Sequence, residues 1–201
     1  MWVLDSLRSE SQFSGSRIFI YGSDTKLAEN DSTQELSGLG DEFRSDLEAL
    51  ITNAAKDPEL GIDPVPLIFI AHSLGGLVVK EVFYHICLSL QRVSTDWRPQ
   101  ALNYAMKNFK WHQQFVESVH GALFFGVPNQ GMKNDELEKI VGGKPNNALV
   151  SALREDSQTV TNQNEEFNHV IQDRRLDMIY FYEHKKSAQT VQVSSDCIRL
   201  A

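Results

Sequence analysis

The amino-acid sequence predicts an α/β fold with a doubly wound, mostly parallel sheet and helices on both faces, and three observations carry that prediction. Short apolar, β-rich runs at residues 17–22, 67–71, 120–126 and 177–182 alternate with stretches of helical periodicity, the order expected of strands joined by helical crossovers. The run Leu67-Ile68-Phe69-Ile70-Ala71 is apolar on both sides of the pleat, as befits a central strand buried on both faces. No internal repeat, low-complexity tract or linker divides the 201 residues, so residues 1–201 read as a single domain.

Each element follows from its own pattern. Arg17-Ile18-Phe19-Ile20-Tyr21-Gly22, closed by Gly22-Ser23-Asp24, reads as a buried strand ending in a loop. Leu36, Leu39, Phe43, Leu47, Leu50 and Ile51 recur at three- and four-residue spacing, with Asp41, Glu42, Asp46 and Glu48 between them; this is an amphipathic helix with a solvated acidic face. Pro58 and Pro64-Val65-Pro66 mark the return to the sheet at Leu67. Gly75 to Leu90 reads as a helix with Leu77, Val78, Val82, Phe83 and Ile86 on its apolar surface. A second helical pattern, Asp96 to Ser118, carries Trp97, Tyr104, Phe109, Trp111 and Phe115. His120 to Gly126 is the next strand, stopped by Val127-Pro128; helices at 136–141, 148–155 and 165–174 and strands at 177–182 and 190–193 complete the pattern.

Composition excludes several classes of function. With 27 acidic against 19 basic side chains and a net charge of −8, the chain has no electrostatic footprint for a nucleic acid or an anionic leaflet. No apolar run approaches the roughly 20 residues of a membrane span. Met1-Trp2-Val3-Leu4 meets Asp5 before a signal-peptide core develops. Two cysteines, Cys87 and Cys197, make neither a disulfide framework nor a zinc quartet, so a reducing, intracellular compartment is expected. No metal cluster or cofactor motif is visible.

The segment that carries chemistry is Ile68-Phe69-Ile70-Ala71-His72-Ser73-Leu74-Gly75-Gly76-Leu77. It sets a serine between a buried strand and a helix. In a nucleophile elbow the serine occupies a strained turn, and its neighbours at minus two and plus two are small because strand and helix backbones approach closely. Ala71 and Gly75 hold those places, Ala71 being one methyl larger than the usual glycine. Such a turn exposes Ser73 at the carboxyl edge of the sheet, with the Leu74 N–H and the helix N-terminus aimed at a developing oxyanion. His72 belongs to the elbow and is expected to pack or bond locally. A phosphate-cradling reading fails, since the spaced glycines and the lysine-serine pair are both missing.

Ala71-His72-Ser73-Leu74-Gly75-Gly76-Leu77-Val78-Val79-Lys80-Glu81 resembles the Gly-His-Ser-Leu-Gly-Gly-Leu-Val-Val-Lys-Glu of a lipase-like serine α/β-hydrolase family, which includes the serine-active-site-containing protein and the hydrolase domains of fungal NLR-like proteins. Two other segments resemble it as well. Ser16 to Asp24 is similar to a family strand that follows a tryptophan-rich opening, here Met1 to Leu7, and Gly121 to Gly131 is similar to the strand ending in Gly-Thr-Pro-His-Arg-Gly. The resemblance implies an α/β-hydrolase fold and an ester or acyl-lipid substrate attacked by Ser73. It also implies peripheral association, in some members, with mitochondrial or endoplasmic reticulum membranes. Asn129 stands where the family has histidine, and Val127 where it has threonine. The family's His-Gly-Leu-Gly-Gly type loop, source of a second oxyanion donor, has no counterpart here, and its catalytic histidine lies beyond the position of Ala201. The expectation is therefore a hydrolase fold incomplete at both ends.

Chain order in this fold is serine, acid, histidine. Glu183, after the strand 177–182, is the first acid candidate by resemblance and position; its other reading is a solvated loop carboxylate. Asp196, at the matching edge of the next strand, is the alternative acid. His85 lies about 15–18 Å along the helix from Ser73 at 1.5 Å per residue, beyond proton-transfer reach. His112, His120 and His169 read as surface or core residues, and His184 is a base candidate only by adjacency to Glu183. Without a base a serine hydroxyl is a poor nucleophile, so weak or no hydrolysis is expected of this polypeptide. The segment 92–118 is a candidate cap over the serine, with core packing of the same aromatics as the other reading. The alternative to an enzyme is a non-catalytic hydrolase-like module that binds protein partners for a larger signalling or membrane-associated protein.

Overall fold

A computed structural model describes residues 10–13, 15–22, 35–56, 66–95, 111–133, 147–155, 157–174 and 176–182. The architecture is mixed helix and strand around a small, open, parallel sheet of three strands. In chain order the elements are α1 (Leu36–Ala55), β1 (Leu67–His72), α2 (Leu74–Thr95), α3 (111–118), β2 (Val119–Phe125), α4 (Asn147–Ala152), α5 (Gln158–Arg174) and β3 (Asp177–Phe181). The expected helix at 136–141 and strand at 190–193 lie outside the described residues.

Strand order is β1-β2-β3, so the sheet grows in one direction as the chain proceeds. Register sets the side chains in rows across it. Phe69, Ala122 and Met178 form one row, and Ala71, Phe124 and Tyr180 the next, on the same face. That face is the core. Phe43 of α1 and Phe115 of α3 pack on Phe69, with ring centroids 6.3 and 6.2 Å apart, and Phe167 of α5 packs edge-on to Phe124 at 5.8 Å. Phe83 of α2 joins Phe115 and Phe167 at 5.2 and 5.1 Å. The repeat of Leu36, Leu39, Phe43, Leu47 and Ile51 is buried as its periodicity requires, while Asp41, Glu42, Asp46 and Glu48 face solvent. The close crossing of α1 and α2 uses Gly40, where an added methyl would overlap Cβ and Cγ of Glu81.

Two expectations are corrected here. Residues 16–22 are not part of the sheet among the described residues, and Phe19 and Ile20 are exposed; the Tyr21 ring packs on Phe43 at 4.4 Å. A β-rich composition fits a pleated surface but does not supply a neighbour to pair with. β1, read as a central strand, is the edge of the described sheet, and Ile68 and Ile70 on its outer face are exposed. The helices cover only one face among the described residues, so the layer that double winding requires on the other face is not among them.

Candidate active site

Ser73 is where the backbone leaves regular geometry. β1 ends at His72 and α2 starts at Leu74, so a single residue makes the strand-to-helix turn. Ser73 takes φ 50°, the only positive value at a non-glycine residue among the described residues, and such a backbone costs an L residue about 1–3 kcal/mol. Its own N–H donates to Phe125 O at 2.9 Å, and Gly76 N–H donates to Ser73 O at 3.0 Å. The first bond ties the turn to the carboxyl end of β2; the second closes the opening turn of α2.

Register puts His72, Phe125 and Phe181 in one row. The chain therefore leaves all three strands at one edge of the sheet. Gly126 N–H donates to Phe181 O at 2.8 Å, extending the contacts of Ser73 and Phe125 across that edge. Ser73 and Leu74 are half-buried, while His72 and Gly75 are exposed. Leu74 opens a helix of 22 residues, so the helix supplies no i−4 acceptor for its N–H and the positive end of the helix dipole lies beside Ser73. A serine hydroxyl, one backbone donor and a helix N-terminus thus share one edge.

The steric constraint on this turn differs from the expected one. Ala71 is buried, but a methyl added at Gly75 meets nothing within 4 Å. A methyl at Gly76 would overlap both methyls of Val127. The close approach is between α2 and the chain leaving β2, one position later than the motif alone places it. Val127, a departure from the resembled family, is the residue that fills this contact.

Lys80 is the residue that motif reasoning passed over. It is wholly buried on α2, which a lysine tolerates only when its ammonium is solvated by the protein. Lys80 Nζ donates to Asn129 Oδ1 at 2.6 Å and to Asn164 Oδ1 at 2.7 Å. The rings of Phe167, Tyr180 and Phe124 lie 4.9, 5.4 and 5.7 Å from the same nitrogen, close enough for cation–π attraction. Asn129 is the other departure from the family pattern, and its amide oxygen accepts from this ammonium. Lys80 thereby ties the loop after β2 to α5, beneath the edge that carries Ser73. Its signal in the sequence is a lone cation inside the apolar run Leu77 to Phe83.

The neighbouring Glu81 is nearly as buried. It accepts from Gln163 Nε2, which also donates to Leu77 O at 3.1 Å, and it meets His85 Nε2 at 3.0 Å. His85 Nδ1 lies 3.3 Å from Asp41. The Glu81 hydrogen bond, helped by the charges of Glu81 and Asp41, raises the His85 pKa above its ordinary value despite burial. His85 is thus occupied in joining α1 to α2. His112 of α3 is pushed down to about 4, by burial first and by Arg44 second.

Glu183, His184 and Asp196 lie outside the described residues, which end at Tyr182, one position past β3. Residues 96–110 of the candidate cap lie outside as well; at its carboxyl end Trp111 and Phe115 are core residues, stacked at 5.3 Å. Among the described residues no group of His, Cys, Asp and Glu is arranged to hold a metal ion, and no helix is long and apolar enough to cross a membrane. No family model, curated protein or solved structure matches the chain.

Proposed function

We propose that the chain is a serine ester hydrolase domain of lipase or esterase type, of α/β-hydrolase fold, acting on an ester or acyl lipid through an acyl-serine intermediate. The observation that carries the reading is Ser73, held at φ 50° between β1 and α2, the strained strand-to-helix turn that presents a nucleophile. Ser73 Oγ would attack the acyl carbon, the Leu74 N–H would stabilise the oxyanion, and Glu183, with Asp196 as the alternative, would orient a base. His184 is the base nearest to that acid in sequence.

Labelling with a fluorophosphonate, wild type against Ser73→Ala, tests this. Labelling that disappears in Ser73→Ala is expected. Labelling that does not depend on Ser73 would sink the hydrolase reading. A non-catalytic module, with protein partners in place of a substrate, would then stand; the exposed apolar sheet face favours that second reading.

A further inference from the structure

The outer face of the sheet is an ordered apolar grid. Register aligns Ile68 with Gly121 and Asp177, Ile70 with Leu123 and Ile179, and His72 with Phe125 and Phe181. Ile68 is 61%, Ile70 55%, Ile179 52%, Phe181 44% and Phe125 36% exposed. Phe125 and Phe181 are stacked at 4.4 Å with their rings within 4° of parallel, so the surface is flat at that end. Parallel sheets are almost always covered on both faces.

Topology explains why the described helices of the crossovers leave this face bare. Crossovers between parallel strands are right-handed, and a sheet that grows in one direction therefore receives every connecting helix on one side. α1, which precedes β1, lies on that side too, through Phe43 and Phe69. Among the described residues nothing is placed on the other side.

We infer that a second copy of this chain seats on this face, sheet against sheet, about a two-fold axis through Leu123. Five large apolar side chains about half exposed, at about 200 Å² each in full, present on the order of 500 Å² per copy. Two such faces bury on the order of 1,000 Å² before the rim is counted, the size at which specific association begins. The grid is also self-complementary. In the orthogonal mode of sheet packing, a two-fold axis along the diagonal from Ile68 to Phe181 sets Ile70 over the partner's Gly121 and Phe125 over the partner's Ile179. The same operation sets His72 over the partner's Asp177, so the two polar corners of the face meet each other rather than apolar groups. The carboxylate of the grid, Asp177, sits at a corner of the face, away from the apolar centre at Leu123.

The test is the mass of the full 201-residue chain by light scattering after gel filtration, from about 1 to 100 μM, the range of a micromolar association. A concentration-dependent rise to twice the chain mass is expected, with at least tenfold weaker association in Ile179→Lys and Ile70→Lys at unchanged circular dichroism. A monomer throughout, whether its face is covered by its own residues or by nothing, overturns the proposal, and so does a dimer indifferent to both substitutions. Should the lysine variants unfold, Leu123→Cys in a Cys87→Ser, Cys197→Ser background decides. A bismaleimide that spans about 10 Å, the spacing of packed sheets, is expected to link two copies at Leu123→Cys and not at the exposed Ser16→Cys, and failure to link at the axis overturns the inference.

Discussion

Replacing Ser73 by glycine is expected to stabilise the protein while removing the hydroxyl at the turn. Ser73 is held at φ 50°, and left-handed backbone costs an L residue about 1–2 kcal/mol. Glycine pays no such penalty, but it enlarges the unfolded ensemble by about 0.4–1 kcal/mol of conformational entropy. The difference is a net gain of about 0.5–1 kcal/mol, or a rise in Tm of about 1–4 °C for a chain of this size. Ser73→Ala separates backbone strain from the hydroxyl, because it keeps the Cβ and hence the strain. Its change is expected within about 0.5 kcal/mol of zero. The assay is urea unfolding followed by circular dichroism and tryptophan fluorescence, reading midpoints at constant slope. A Ser73→Gly protein no more stable than Ser73→Ala would refute the argument, since the positive φ would then carry no strain.

Other expected outcomes rest on different contacts. Gly76→Ala drives a methyl into Val127 and is expected to cost about 1–3 kcal/mol; Val127→Ala in the same chain should recover at least half of that, and strict additivity of the two changes would refute the close contact. His112 titrates near 4 in the fold against 6.5 unfolded, so its neutral form is stabilised by folding. That contribution is present above pH 6.5 and is lost as the pH falls toward 4, at up to about 1.4 kcal/mol per pH unit. His112→Leu should flatten this limb of the stability profile, and an unchanged limb would place the acid sensitivity elsewhere. His85 carries the opposite sign: its raised pKa gives stability that is full below pH 6.5 and lost as the pH rises through the folded value, an effect His85→Gln should remove.

Much of the site was legible because its determinants are local. A serine between an apolar run and a helix, with two glycines after it, specifies a turn that the backbone must make within one residue. Lys80 was not legible in the same way, because a lysine in an apolar run looks like a misfit until Asn129, Asn164 and three rings arrive from distant parts of the chain. The close glycine was placed at Gly75 for a related reason: spacing within the motif says that something small is needed, but not which residue Val127 will touch.

The sequence by itself determined α1, α2, the strands β1 to β3, the carboxyl-terminal part of α5, which starts at Gln158 and not at Glu165, and the position of the strand-to-helix turn, since periodicity, a helix start and a glycine pair act over a few residues. Tertiary structure alone decided which face of the sheet is core, that residues 16–22 stand outside the described sheet, and that Lys80 and Glu81 are buried. These depend on strand order and on the one-handed crossovers that send all the described helices to the same side. An apolar strand looks the same in sequence whether its second face is covered by a helix, by another copy or by water, and only its neighbours in space tell these apart.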